Sequence, residues 1–230
     1  LTKKHDLKSS NGSAPFGNLC QFNQKLYGMT YQGGASNLGV LFSYNIQNDS
    51  FTKIIDFNGT NGQNPFGSLI LANNNKLYGC TYQGGSFGQG IIFELNPQND
   101  SFSKKKDFNP SITGSNPYGN LLQAQNGNFY GITFLGGANN IGSIFEYNLQ
   151  NDTLKGIYSF SSLLATGQNP YGNLVELSNG KFLGTTIQGG SNNGGTLFEW
   201  NNNLKTFQVL YSFSNALNGR NPQGSLIKHS

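Results

Sequence analysis

General acid-base, glycosidic and metal chemistry nearly all draw on carboxylates, and this chain of 230 residues has ten. Nine of them recur in three sets at regular intervals: Asp6, Asp56 and Asp107; Asp49, Asp100 and Asp152; Glu94, Glu146 and Glu199. Glu176 alone stands outside the pattern. Groups that recur once per interval lie apart unless they line a common axis. Asn48-Asp49-Ser50 and its copies therefore read as hairpin turns in which Asp and Asn side chains bond nearby backbone. A ring of Asp6, Asp56 and Asp107 holding a cation is the chemical alternative. His5 and His229 are terminal, and neither has a Cys, His or acidic partner at metal-ligand spacing. No Gly-x-Ser-x-Gly nucleophile motif occurs. Cys20 and Cys80 stand where other copies carry mostly apolar residues (Ile70, Leu122 and Val175; Met29, Ile132 and Thr185), so both are expected as buried free thiols. The residue types predict no catalytic residue, no metal site and no cofactor.

The intervals come from an internal repeat. Pro15-Phe16-Gly17-Asn18-Leu19 returns at Pro65, Pro117, Pro170 and Pro222, with spacings of 50, 52, 53 and 52. Leu26 to Gly34 (LYGMTYQGG) returns from Leu77, Phe129 and Phe182; Gly39-Val40-Leu41-Phe42 returns from Gly90, Gly142 and Gly195. A fourth block ends in Asp56-Phe57, Asp107-Phe108, Ser159-Phe160 and Ser212-Phe213. Each block is short, rich in aromatic and branched residues and bounded by Gly, Asn and Pro, which is strand chemistry. Leu26, Gly28 and Thr30 point to one face and Tyr27, Met29 and Tyr31 to the other. Both faces are partly apolar, so each sheet must lie between neighbours.

The predicted fold is all-β, a β-propeller or propeller segment of four-stranded antiparallel blades, with about 51 residues per repeat, near the kelch length. Four complete repeats cover 8–57, 58–108, 109–160 and 161–213, with a partial repeat at 214–230, and 1–230 is one domain or part of a larger one. A last strand near Lys3 to Leu7 and a first strand near Gly224 to Lys228 bring the expected count to 18. That count predicts a longer ring with more than five blades; the alternative is a four-bladed ring with two extra strands. Mid-strand Gly28 and its copies are expected to let neighbouring backbones approach, and the Gly-Gly pairs to supply positive φ at a strand exit.

Composition agrees. The 32 Gly and 34 Asn exceed what a helical chain could carry. A net charge of +4 is spread along the chain, and Lys104-Lys105-Lys106 is its only run, whereas a nucleic-acid surface needs a clustered basic stripe. No nucleic-acid partner is expected. No apolar run approaches the roughly 20 residues that span a bilayer.

The unit from Asn169 to Phe213 (NPYGNLVELSNGKFLGTTIQGGSNNGGTLFEWN, then LYSF) resembles the GloVer, or Gloeo-Verruco, tandem repeat of bacterial surface and secreted proteins. Pro-aromatic-Gly, Leu-Tyr-Gly-x-Thr, Gly-Gly and Gly-x-Leu-Phe occur in that order throughout the chain. Gln223 and Leu183 depart from it, standing where the other copies have an aromatic and a Tyr. The resemblance implies a secreted or cell-surface location and no activity.

Ligand contact is expected on the loops. Phe16, Phe66, Tyr118 and Tyr171 follow the recurrent Pro, while Gln32, Gln83, Gln188 and Asn192 flank the Gly-Gly pairs. Amide groups beside aromatic faces with few charges suit sugar hydroxyls; the same residues also build turns and packing between blades. The leading expectation is a non-enzymatic interaction or adhesion scaffold, within a longer chain or assembly, that binds protein or glycan at a loop face or a central channel. A lectin-like propeller is one alternative, and part of a propeller enzyme acting on polysaccharide is another.

Overall fold

Short runs of aromatic and branched residues between Gly, Asn and Pro fold as strands because the pleated backbone gives bulky side chains room on alternate faces. The computed structural model describes residues 2–161, 163–214 and 219–228. Among the described residues the chain forms four antiparallel sheets, each meandering in sequence order. Sheet one is β1 (Cys20–Phe22), β2 (Lys25–Thr30), β3 (Val40–Asn45) and β4 (Ser50–Asp56). Sheet two is β5 (Ile70–Leu71), β6 (Leu77–Thr81), β7 (Ile91–Asn96) and β8 (Ser101–Asp107). In sheet three β9 (Ser115–Pro117) and β10 (Leu122–Gln123) both pair with β11 (Phe129–Leu135), followed by β12 (Ser143–Asn148) and β13 (Thr153–Ser159). Sheet four is β14 (Gln168–Ser178), β15 (Lys181–Gln188), β16 (Thr196–Asn201) and β17 (Thr206–Ser212).

The chain divides into two compact units, residues 1–107 and 108–230. In the first, Tyr27, Met29 and Leu41 of sheet one share a core with Leu69, Leu77, Phe93 and Leu95 of sheet two. In the second, Tyr130, Ile132 and Ile144 of sheet three meet Leu174, Phe182, Phe198 and Trp200 of sheet four. Full burial of each such side chain contributes about 1.5–3 kcal/mol, so face-to-face packing is the main source of stability in each unit.

Three expectations are corrected. The described residues form 17 strands rather than 18. Among the described residues, 3–7 and 224–228 pair with no strand and so are not strands, while the first strand of sheet three is split in two. Gly28 and its copies serve a ring rather than a neighbouring backbone. Gly28 pairs with Phe42 and Gly79 with Phe93, and the Phe lies over the Gly on one face of the sheet. Close backbone approach occurs instead at Gly17, where an added Cβ would lie 2.5 Å from the Gly67 carbonyl oxygen. The alternating pattern also slips between the third and fourth strands of every sheet. A bulge between the third and fourth strands falls at Leu41/Phe42, Ile92/Phe93, Ile144/Phe145 and Leu197/Phe198. In sheet one it leaves Ile54 as the extra residue on β4.

Two stability outcomes follow. A Cβ at Gly79 would lie 2.7 Å from Phe93 Cζ and 3.0 Å from Leu69 Cδ2, so Gly79→Ala is expected to cost about 1–3 kcal/mol in chemical denaturation, as overpacking does. An unchanged midpoint would show that the ring yields freely. Trp200 is buried, and its indole N–H has no hydrogen-bond partner among the described residues. Trp200→Phe removes that stranded donor and is expected to cost less than about 1.5 kcal/mol, against about 3–5 for Phe198→Ala.

Candidate functional site

The residue before each recurrent Pro holds positive φ, a conformation that Asn adopts more readily than other side-chain-bearing residues. Asn64 (φ 51°) donates its side-chain amide to the Tyr31 carbonyl at 2.8 Å and its backbone N–H to the Leu38 carbonyl at 2.7 Å. Asn169 bonds Phe134 and Ile141 in the same way, at 3.2 and 3.0 Å, and Asn221 bonds Ile187 and Gly194, at 2.8 and 2.7 Å. Asn64 thus ties the start of sheet two to the β2–β3 loop of sheet one, and Asn169 ties sheet four to sheet three.

These ties bring the loop aromatics together in pairs. In the first unit Phe16 stacks on Phe66, with ring centroids 4.7 Å apart at 18°. Tyr31 meets both edge-on, at 5.6 and 6.0 Å. Phe16 is 57% exposed. In the second unit Tyr118 and Tyr171 lie 4.4 Å apart, with Phe134 at 6.0 and 6.5 Å. The four aromatics expected at the site therefore form two clusters. Sequence reasoning missed their third members, Tyr31 and Phe134. Their signal was present, since both stand one residue beyond the recurrent Thr at the end of the second-strand block.

The Gly-Gly loops satisfy themselves. Gly33 and Gly34 have φ of 85° and 78°, and the other three pairs are also positive. The N–H groups of Gly33, Gly136 and Gly189 donate to the side chains of Asn37, Asn140 and Asn193 at 3.0, 3.1 and 2.8 Å. Gln32 and Gln188 are exposed and pair through their backbones with Ser13 and Gln168. Gln83 pairs with Gln63 through both backbone and side chain, the amides 3.0 Å apart. Asn192 is exposed and donates to its neighbour Ser191 at 3.3 Å. Gln32, Gln188 and Asn192 thus remain open to solvent, whereas the Gln83 carbonyl already has a partner.

The carboxylates are engaged within their own neighbourhoods. Asp56 accepts the Ala35 N–H at 2.9 Å and pairs with Lys53 at 2.7 Å; Asp107 accepts the Ser86 N–H at 2.8 Å and pairs with Lys104 at 3.0 Å. Both brace the loop after a Gly-Gly pair. Asp6, the third member of the proposed cation ring, is exposed and pairs with Lys3 at 2.9 Å. Asp49 and Asp152 sit in hairpin turns at positive φ and accept the hydroxyls of Tyr44 and Tyr147 at 2.5 and 2.6 Å. Asp100 accepts from Tyr27 at 3.1 Å and Lys25 at 2.9 Å. Glu176 is buried and accepts two backbone N–H groups, from Gln125 at 2.9 Å and Gly180 at 3.1 Å. Among the described residues no three His, Cys, Asp or Glu side chains group as metal ligands do. Cys20 and Cys80 are free thiols whose pKa burial raises; Cys80 is buried as expected, whereas Cys20, at the start of β1, is only half-buried. His229 lies outside the described residues.

Glu94 and Glu146 are among the carboxyls held below their ordinary range. Burial raises each carboxyl, but hydrogen bonds outweigh it, from Lys76 and Tyr78 at Glu94 and from Tyr130 and Asn128 at Glu146, so both lie below the ordinary range. A carboxyl depressed in the folded state gives stability that is complete above its unfolded pKa and is lost as pH falls through the folded value. The thermal midpoint is therefore expected to stay level from about pH 7 to 5 and to fall below about pH 4. Glu94→Gln and Glu146→Gln should each flatten that acid limb; an unchanged limb in both would remove these groups from the acid response.

Three kinds of similarity bear on identity. No curated protein matches the chain in sequence. In structure it resembles the extracellular domain of a B. thetaiotaomicron protein described as a one component system, with TM-score 0.63 and 18% identity over 96% of this chain and 25% of that one. It also resembles the extracellular domain of a hybrid two component system from B. thetaiotaomicron (TM-score 0.54, 15% identity, 92% of this chain and 25% of that one). A polysaccharide lyase, an ulvan lyase, matches with TM-score 0.55 and 11% identity over 88% of this chain and 57% of that one. The chain spans about a quarter of the length of the two extracellular-domain chains, and at these identities the likeness is one of propeller-like fold alone. A family model described as the Gloeobacter/Verrucomicrobia repeat matches residues 1–175, short of the whole-chain extent of the motifs, and Leu183 and Gln223 lie beyond its end. With about three-quarters of its length matched, the chain belongs to the Gloeobacter/Verrucomicrobia repeat family.

Proposed function

We propose that the chain is a non-enzymatic, extracellular or cell-surface repeat protein that acts as an interaction or adhesion scaffold. In this reading its four sheets are blades of a kelch-like β-propeller of about 51 residues per repeat, and partners bind at the loop face. One observation carries the reading. The loops carry paired aromatics, the exposed Phe16 stacked on a half-buried Phe66 and the half-buried Tyr118 and Tyr171 tilted against each other, while most carboxylates are committed to backbone N–H groups, Tyr hydroxyls or Lys. Aromatic side chains at a water-exposed surface offer large contact area at low conformational-entropy cost. No helix among the described residues is long and apolar enough to cross a membrane.

The exposed Phe16 ring, near loops that carry Gln32 and other open amides, favours glycan as a second choice of partner over a flat protein epitope. Part of a polysaccharide-acting enzyme is the opposing reading, and the lyase neighbour is its support.

A glycan array followed by calorimetry tests the proposal. Binding without turnover is expected, weakened about tenfold or more by Phe16→Ala or Tyr171→Ala, as loss of a hot-spot aromatic does, with the thermal midpoint of Phe16→Ala unchanged. Product formation that Glu176→Gln or Asp107→Asn abolishes would refute the non-enzymatic reading.

A further inference from the structure

Two departures from the repeat converge on one turn in the second unit. Glu176 is the acidic residue outside the recurrent columns, and Leu183 stands where the other copies have Tyr. They flank the two-residue turn Asn179-Gly180, which joins β14 to β15, with Ser178 paired to Lys181. Its counterpart in sheet three is Asn126-Gly127, between β10 and β11, with Gln123 and Tyr130 at the matching positions.

The counterpart turn is locked. Asn126 donates its amide to the Tyr130 hydroxyl at 2.9 Å and accepts the Asn128 N–H at 3.0 Å, while the Gly127 N–H donates to the Ala124 carbonyl at 2.9 Å. Asn74 in sheet two is held in the same way by Tyr78 and Lys76, at 3.0 and 3.2 Å. Leu183 offers no hydroxyl, and the exposed side chain of Asn179 makes no hydrogen bond among the described residues. In the other described Asn-Gly pairs the Asn side chain is engaged: Asn11, Asn58, Asn61 and Asn193 accept the N–H groups of Lys8, Asn61, Asn58 and Gly189. The peptide between Asn179 and Gly180 is itself held at both ends. Its N–H donates to the buried Glu176 carboxylate at 3.1 Å, and its carbonyl accepts the Asn203 side-chain amide at 3.0 Å. A carboxylate on the N–H and a donor where negative charge would gather both favour loss of the amide proton.

We propose that Asn179 is a self-modifying site at which Glu176 acts as the general base for ring closure by Gly180. Glu176 takes the Gly180 N–H proton as that nitrogen attacks Asn179 Cγ. The N–Cγ bond forms, the Cγ–Nδ2 bond breaks, and the proton leaves with Nδ2 as ammonia, giving a succinimide. Water then opens the ring to Asp or isoAsp; no oxidant or reductant takes part. Ring closure needs an Asn side chain free to turn its Cγ towards the Gly nitrogen, which Leu183 permits and the Tyr130 hydroxyl prevents at the counterpart. Each conversion lowers the net charge of +4 by one.

The test incubates the full chain at neutral pH and follows each Asn-Gly peptide by mass spectrometry, reading the gain of one mass unit, with released ammonia measured alongside. Asn179 is expected to convert about tenfold or more faster than Asn126. In denaturant that preference should vanish, because both are then Asn-Gly pairs in an unfolded chain. Glu176→Gln copies Gln123, and Leu183→Tyr restores the hydroxyl; each should slow Asn179 and leave Asn126 unchanged. The rate at Asn179 should also rise less steeply with pH than the rate at Asn126, since a carboxylate replaces hydroxide as the base. Should Glu176→Gln not fold, Leu183→Tyr and the pH profile give the same reading. Equal rates at Asn179 and Asn126 in the folded chain, or a preference kept in denaturant, would overturn the proposal. So would a folded Glu176→Gln chain that converts at the same rate or faster, since Glu176 would then only tether the turn.

Discussion

A four-stranded sheet with apolar side chains on both faces cannot bury itself, and this requirement shapes each unit. Several strands are too short to hold alone, β5 with two residues and β1 with three, and an isolated hairpin in water is marginal at best. Stability comes when Tyr27, Met29 and Leu41 meet Leu69, Leu77 and Phe93, and when Tyr130, Ile132 and Ile144 meet Leu174, Phe182 and Phe198. The Gly of each second strand makes room for the tip of a Phe ring from the third strand.

Polar groups serve that packing. A buried carbonyl without a donor would cost more than most single contacts return, and Asn meets the need at little backbone cost. Asn64 and Asn169 join consecutive sheets, while Asn37, Asn140 and Asn193 close the Gly-Gly loops. Carboxylates work alike: Asp56 and Asp107 brace loops, and Glu176 holds two N–H groups. With most of these groups spent on structure, the loop aromatics are left as the surface feature with chemistry to offer.

Much of this was legible from residue order. Hairpin turns at Asp49, Asp100 and Asp152, positive φ at the Gly-Gly pairs and a buried free thiol at Cys80 are local matters of turn chemistry and substitution pattern. The candidate site was legible in its members and not in its grouping. Phe16, Phe66, Tyr118 and Tyr171 could be named, but nothing in their spacing of about 50 residues showed that they pack in pairs with Tyr31 and Phe134 against them.

Sequence alone determined what depends on near neighbours: the two-residue alternation of strands, the turns, and the recurrence of each block. Tertiary structure decided what depends on groups far apart in the chain. It put a ring over Gly28 and slipped each outer strand by a bulge. The physical reason is that a side chain's direction follows from its own backbone, whereas its burial and its hydrogen bonds require a partner that only packing brings within reach.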